Sequence, residues 1–229
     1  MVKMKNLFKE YGYDLSEKQL GQFKVYCDIL REYNAKFNLT AITDEKEIYI
    51  KHFIDSLLGK EFVVGEKLTD IGSGGGFPAL PLKITLPETD LTMIEATEKK
   101  CGFLRDAVKF LGLNKVTVIN ARAEDLGKDK NFRENFDTVT ARAVAKLNIL
   151  SELCLPFVKK GGVFIAYKGK ADEETVRAEN AVKILGGKIK KEKKFSLNGD
   201  DRTVIVIEKI NETPTEFPRA NAKIKKRPL

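Results

Sequence analysis

Leu68-Thr69-Asp70-Ile71-Gly72-Ser73-Gly74-Gly75-Gly76-Phe77-Pro78 is the stretch whose reading decides the fold. A short apolar run ends on glycines at 72, 74, 75 and 76. Glycine accepts positive φ and lets a ligand approach the bare backbone, so a strand that stops here turns sharply beside a binding surface. Pro78 and Pro81 suit the first turn of a following helix, where a missing N–H costs little. The segment reads as strand, ligand-facing turn, helix. Two phosphate-binding turns are excluded. A P-loop closes on Gly-Lys-Ser/Thr, which is missing, and a G-x-G-x-x-G turn counted from Gly72 needs glycine where Phe77 stands.

Working outward, apolar runs at 67–71, 90–95, 115–120, 136–140 and 162–168 alternate with helical patterns at 78–85, 97–111, 145–159 and 172–185. That alternation predicts βαβ units, hence an α/β, Rossmann-like, doubly wound and mostly parallel sheet. Gly186-Gly187 signals the end of the last helix. Residues 188–196 and 202–207 flank Leu197-Asn198-Gly199-Asp200-Asp201, a hairpin pattern that closes the sheet with an antiparallel strand. Upstream, Ser16 and Gln19 form a capping box with Leu15 and Leu20 as its hydrophobic staple; Asp44 and Glu47 repeat the start signal. The expected organisation is an N-terminal helical lobe over 1–62, a core over 63–210 and a basic tail over 211–229. With three prolines and five basic residues, the tail reads as extended.

The chain has 229 residues, 42% of them hydrophobic, enough to bury a core without a metal or disulfide framework. Its three cysteines, Cys27, Cys101 and Cys154, are widely spaced and outside any CxxC pair. Cys154 falls in an apolar helix pattern with Leu150, Leu153 and Phe157 and reads as packing rather than as a nucleophile. No apolar run approaches the length of a membrane span and the first residues lack a signal-peptide core, so a cytoplasmic protein is expected. A net charge of +8 leaves two readings open, a polyanionic partner or a solvated lysine-rich surface.

The order Asp-x-Gly-x-Gly-x-Gly over residues 70–76 resembles the first motif of class I S-adenosylmethionine-dependent methyltransferases. Bare backbone suits the zwitterionic methionine end of that cofactor, with the Asp70 carboxylate toward its ammonium, directly or through water. Glu95, 25 residues beyond Asp70, stands near the offset at which an acid meets ribose hydroxyls; alone it would read as a solvated strand-end carboxylate. Ala123-Glu124, after the third strand, matches the position where such enzymes line the adenine edge. The fourth strand ends Thr140-Ala141-Arg142-Ala143-Val144, without the Asn/Asp-Pro-Pro-aromatic turn of amino-group methylation in bases. No general base or nucleophile is evident. Guanine N7, with its exposed lone pair, needs neither.

Nearly the whole chain is similar to the bacterial RsmG/GidB family, which methylates N7 of a guanine in 16S ribosomal RNA of the small subunit. The matching segments are Phe37-Asn38-Leu39-Thr40-Ala41-Ile42, His52-Phe53-Ile54-Asp55-Ser56-Leu57, residues 72–78, Thr140-Ala141-Arg142-Ala143-Val144-Ala145, and Phe217-Pro218-Arg219 with the basic tail. The resemblance implies S-adenosylmethionine as cofactor and 16S ribosomal RNA or the small subunit as partner. It places Gly72, Gly74, Phe77, Glu95, Ala96, Ala123, Glu124 and Arg142 at the cofactor, with Arg142 and His52 as positioning candidates. Read alone, Arg142 is a salt-bridge partner and His52 a structural or substrate-side residue. Asn38, His52, Arg142, Lys168 and Arg219 are the substrate-facing candidates. Methylation of a protein or small molecule, and a non-enzymatic RNA-binding or assembly role with a vestigial pocket, are the competing functions.

Overall fold

The structure, a computed structural model, describes residues 2–142, 145–171 and 173–229. The expectations that touch Met1, Ala143, Val144 and Asp172 lie outside the described residues. The lobe comprises α1 (Val2–Glu10), α2 (Glu17–Asn34), α3 (Glu45–Ile48), a π-helical turn (Tyr49–Ile54) and α4 (Asp55–Leu57). Then come β1 (Lys67–Ile71), α5 (Ala79–Thr85), β2 (Asp90–Glu95), α6 (Glu98–Phe110), β3 (Val116–Asn120), α7 (Ala123–Leu126), β4 (Phe136–Arg142) and α8 (Leu147–Cys154). The chain continues through β5 (Val158–Lys168), α9 (Glu174–Ile184), β6 (Gly187–Leu197), β7 (Asp200–Lys209) and α10 (Asn221–Lys226).

Seven strands form one sheet in the order β3-β2-β1-β4-β5-β7-β6. The first five pair in parallel and β7 closes against β5 antiparallel. Strand order reverses between β1 and β4, which opens a crevice at the carboxyl ends there. The β6–β7 turn uses Asn198 (φ 52°) and Gly199 (φ 84°), the left-handed pair that matches the twist of a hairpin.

The Ser16 capping box forms, and Asp44 caps α3 by accepting from the Glu47 N–H. Phe8, Phe23, Tyr26, Phe53 and Phe77 share one core with Leu68, Leu82, Met93 and Phe103, so the lobe is packed onto the β1–β2 side of the sheet. A second core lies between the sheet and α8, α9 and the C-terminal segment.

Three departures from the sequence reading have physical causes. Helix α1 had no capping signal; the burial of Phe8 against Phe23 (ring centres 4.9 Å apart) holds it in place. The helix expected over 145–159 stops at Cys154, and Pro156 lies in the short 3₁₀ turn that hands over to a longer β5. The tail, expected to be extended, contains α10 between Pro218 and Pro228, where Ile224 is buried. Prolines bracket this helix and leave its interior proline-free.

Candidate active site

The glycine turn sits at the mouth of the crevice. Gly72, Gly74 and Gly76 adopt φ of 73°, 55° and 88°. Two of these glycines serve different ends. A Cβ on Gly76 would lie 2.6 Å from the Tyr26 hydroxyl, so that glycine lets α2 pack against the turn. A Cβ on Gly74 would meet nothing nearer than the Gly72 carbonyl at 3.8 Å, so that glycine keeps an open face. The turn is held from both sides. Glu95 Oε2 accepts from the Gly74 N–H at 2.9 Å while its Oε1 accepts from the Thr97 N–H at 2.8 Å. From the lobe, the buried Tyr26 hydroxyl donates to the Gly75 carbonyl.

Asp70, at the end of β1, is fully buried. Its Oδ1 accepts from Thr140 Oγ1 at 2.7 Å, across the β1–β4 boundary. Its Oδ2 has no partner, the one buried side-chain polar atom in that condition among the described residues. Burial pushes the Asp70 pKa up to about 7, against the hydrogen bonds and the Arg142 charge that pull it down. An orphaned buried carboxylate oxygen below an open glycine turn fits the ammonium of an amino-acid-like ligand.

Against the turn stands a stacked plate. The Phe77 ring lies 4.5 Å from His52 at 18°, 5.4 Å from Tyr26 at 26°, and 4.8 Å from the Arg142 guanidinium. Arg142 donates to Asp55 Oδ2 at 2.9 Å and to His52 Nδ1 at 3.1 Å. Guanidinium has no acceptor, so Nδ1 carries a lone pair and the proton sits on Nε2, which donates to Thr40 Oγ1 at 2.7 Å. Burial, then the Arg142 charge, lower the His52 pKa to about 3. The ring is therefore neutral. The π-helical turn brings His52 and Asp55 together to the same guanidinium.

Ala123 and Glu124 open α7 after β3; Glu124 is buried, with Arg122 Nη1 3.9 Å away. Ala96 is exposed beside Glu95. The cofactor candidates thus gather at the ends of β1, β2, β3 and β4. The substrate-facing candidates do not all gather. His52, Arg142 and Lys168 line one cleft of about 340 Å³ with Asp55, Tyr167 and Arg202. Lys168 is engaged there by the Ala145 carbonyl and by Glu174, each at 2.8 Å. Asn38 is exposed on a separate recess lined by Asn34 and Thr40. Arg219 is drawn into a fork with the fully buried Glu152, at 2.8 and 2.6 Å, so its guanidinium is committed to holding the tail on α8. Sequence reasoning missed Tyr26, Thr140 and Asp55. Tyr26 reads as one more core position of α2, and Thr140 stands 70 residues from the carboxylate it binds.

The fold and the crevice together define a class I S-adenosylmethionine-dependent methyltransferase. Structures with this fold include NSun6 from Pyrococcus horikoshii with SFG (TM-score 0.58, 10% identity, covering 76% of this chain and 57% of that one) and M. jannaschii TYW2 in complex with AdoMet (TM-score 0.53, 19% identity, 69% and 76%). Residues 19–205 match the family GidB, rRNA small subunit methyltransferase G. Relatives named "Ribosomal RNA small subunit methyltransferase G" include one from Lactobacillus johnsonii, 47% identical over 96% of this chain and 95% of its own. Another, from Pelotomaculum thermopropionicum, is 48% identical over 96% and 95%. The chain belongs to the rRNA small subunit methyltransferase G family.

Proposed function

We propose that this chain transfers a methyl group from S-adenosylmethionine to N7 of a guanine in 16S ribosomal RNA, in the bacterial cytoplasm, on the RNA or the small subunit. The observation that carries the reading is Asp70 Oδ2, buried and unpartnered four residues before the open face of Gly74, in a chain of this family. Among the described residues no helix is long and apolar enough to cross a membrane.

S-adenosylmethionine supplies an electrophilic methyl on a sulfonium sulfur, and guanine N7 supplies the lone pair, so no proton leaves the acceptor. The work left to the protein is placement and electrostatics. Asp70 takes the ammonium of the methionine end, and the glycine turn, drawn to shape by Glu95 and Tyr26, admits it. Glu95, whose oxygens each retain a lone pair, faces the ribose, and Ala123 with Glu124 the adenine. The Phe77–His52–Arg142 plate forms the wall on the acceptor side, its imidazole neutral and its guanidinium fixed by Asp55.

Purified chain, unmodified small-subunit RNA and methyl-labelled cofactor test this directly. Label is expected as a single 7-methylguanosine, lost from the RNA map of a deletion strain. Label confined to protein, or an unchanged map, overturns the reading.

A further inference from the structure

The C-terminal segment is tied down more firmly than a solubilising tail requires. Arg133 donates to the Thr213 and Phe217 carbonyls at 2.5 and 2.7 Å. Thr213 Oγ1 is bound by the buried Lys209 at 2.6 Å, and Arg219 forks onto Glu152. Helix α10 has six residues, too few to persist alone. It persists because Ile224 is buried in the second core and Asn148 Nδ2 donates to the Leu229 main-chain oxygen at 3.1 Å. Ordering such a segment costs conformational entropy that these ties offset.

What the ordered segment presents is uniform. Lys223, Lys225, Lys226 and Arg227 are all exposed, no acidic residue follows Glu216, and none of the four makes an ion pair among the described residues. Lys5, Lys24 and Lys36 of the lobe meet the carboxylates of Glu17, Asp28 and Glu32. The position is also specific. Helix α8 starts five residues after Arg142, so its first turn lies at the carboxyl ends of the strands, and Asn148 of that turn holds Leu229. Lys146, at the head of α8, is exposed as well.

We propose that α10 is a phosphate-binding platform, fixed beside the crevice, that holds the RNA strand carrying the acceptor base. Four unpaired cations within five residues repel one another and gain most when a polyanion covers them. The inference rests on the RNA reading of the crevice and adds a second contact surface to it.

The test uses the full chain with Lys223, Lys225, Lys226 and Arg227 all changed to Gln, and a companion with Ile224→Ser that keeps every charge but undocks the helix. Affinity for unmodified 16S RNA is measured across a KCl series, with cofactor affinity, melting temperature, and KM and kcat for RNA. Removing four contacts should flatten the slope of log K against log salt by about 3 and weaken binding on the order of 10²-fold at 0.15 M salt. KM for RNA should rise while kcat at saturating RNA and cofactor affinity stay unchanged. Ile224→Ser should also raise KM, since placement as well as charge is required. An unchanged salt slope in the Gln variant overturns the proposal. So does loss of binding to small subunits with none on naked RNA, which points to a ribosomal protein instead. Absence of methyl transfer by the unaltered chain would strike the functional reading while leaving the salt slope to judge the platform.

Discussion

The two flanks of the crevice solve opposite electrostatic problems. At the ends of β4 and β5 the cations are already paired: Arg142 and Arg202 share Asp55 at 2.9 and 3.4 Å, and Lys168 meets Glu174. At the end of β1 a carboxylate is buried with one oxygen unpartnered and its pKa raised to about 7. The paired flank is finished before any ligand arrives and offers shape. The other carries an unpartnered buried oxygen that, in the proposed reading, a ligand's ammonium would meet, which would concentrate binding energy there. A site of this kind binds through one flank and aims with the other.

Asp70→Asn is the sharpest way to break that contrast. Loss of a charge-assisted contact of about 1.5–3 kcal/mol should weaken S-adenosylmethionine binding by about 10–100-fold in calorimetry. Stability should move the other way. Between the unfolded value of 3.8 and the folded value near 7, the native state holds a proton that the unfolded state has lost. This contribution is fully present below pH 3.8 and disappears as pH rises through 7. The ligand-free variant should therefore melt no lower than the parent at pH 8. A clear loss of melting temperature there would show that Asp70 is structural.

Gly74→Val should follow, with binding reduced about tenfold or more, since its side chain fills the open face. The left-handed φ of 55° adds strain of about 1–2 kcal/mol, which lowers the melting temperature by about 2–8 °C. Unchanged affinity in the folded variant would remove the turn from the pocket.

On the paired flank, His52→Phe keeps the stack on Phe77 and removes the ring nitrogens. The parent holds His52 neutral down to about pH 3, whereas the unfolded chain takes up a proton near 6.5. The parent therefore loses stability as pH falls below 6.5, by about 2 kcal/mol at pH 5 relative to neutral pH. The variant lacks that dependence, which denaturant melts at the two pH values would reveal. Equal pH dependence in both proteins would mean the imidazole is not held neutral.

Tyr26→Phe is the smallest perturbation. It deletes one hydrogen bond to Gly75 and keeps both ring stacks, so cofactor affinity should fall by only about 2–10-fold. Restoration of affinity requires the hydroxyl, and no change at all would mean the lobe does not shape the turn.

The flank that waits for a ligand was the one legible in the letters. Gly72 and Gly74 act through backbone conformation over a few residues, and such local grammar survives in a linear sequence. The paired flank was legible only as a set of charges. Whether Arg142 meets Asp55, or Arg219 meets Glu152, depends on partners 87 and 67 residues away. Glu95 shows the middle case: its place at the end of β2 was read from the letters, while its grip on the Gly74 N–H emerges only when β1 and β2 lie side by side.

Among the described residues the outer strand β6 pairs with no strand but β7, and it carries Lys188, Lys190, Lys191, Lys193 and Lys194 along its eleven residues, with a register break between Ile189 and Lys191. An open strand edge is a template on which another chain can add at about 4.8 Å spacing. Here any second β6 would bring lysine against lysine, on a strand already bent out of true. The lysine-rich edge and the broken register both disfavour the addition of a further strand there.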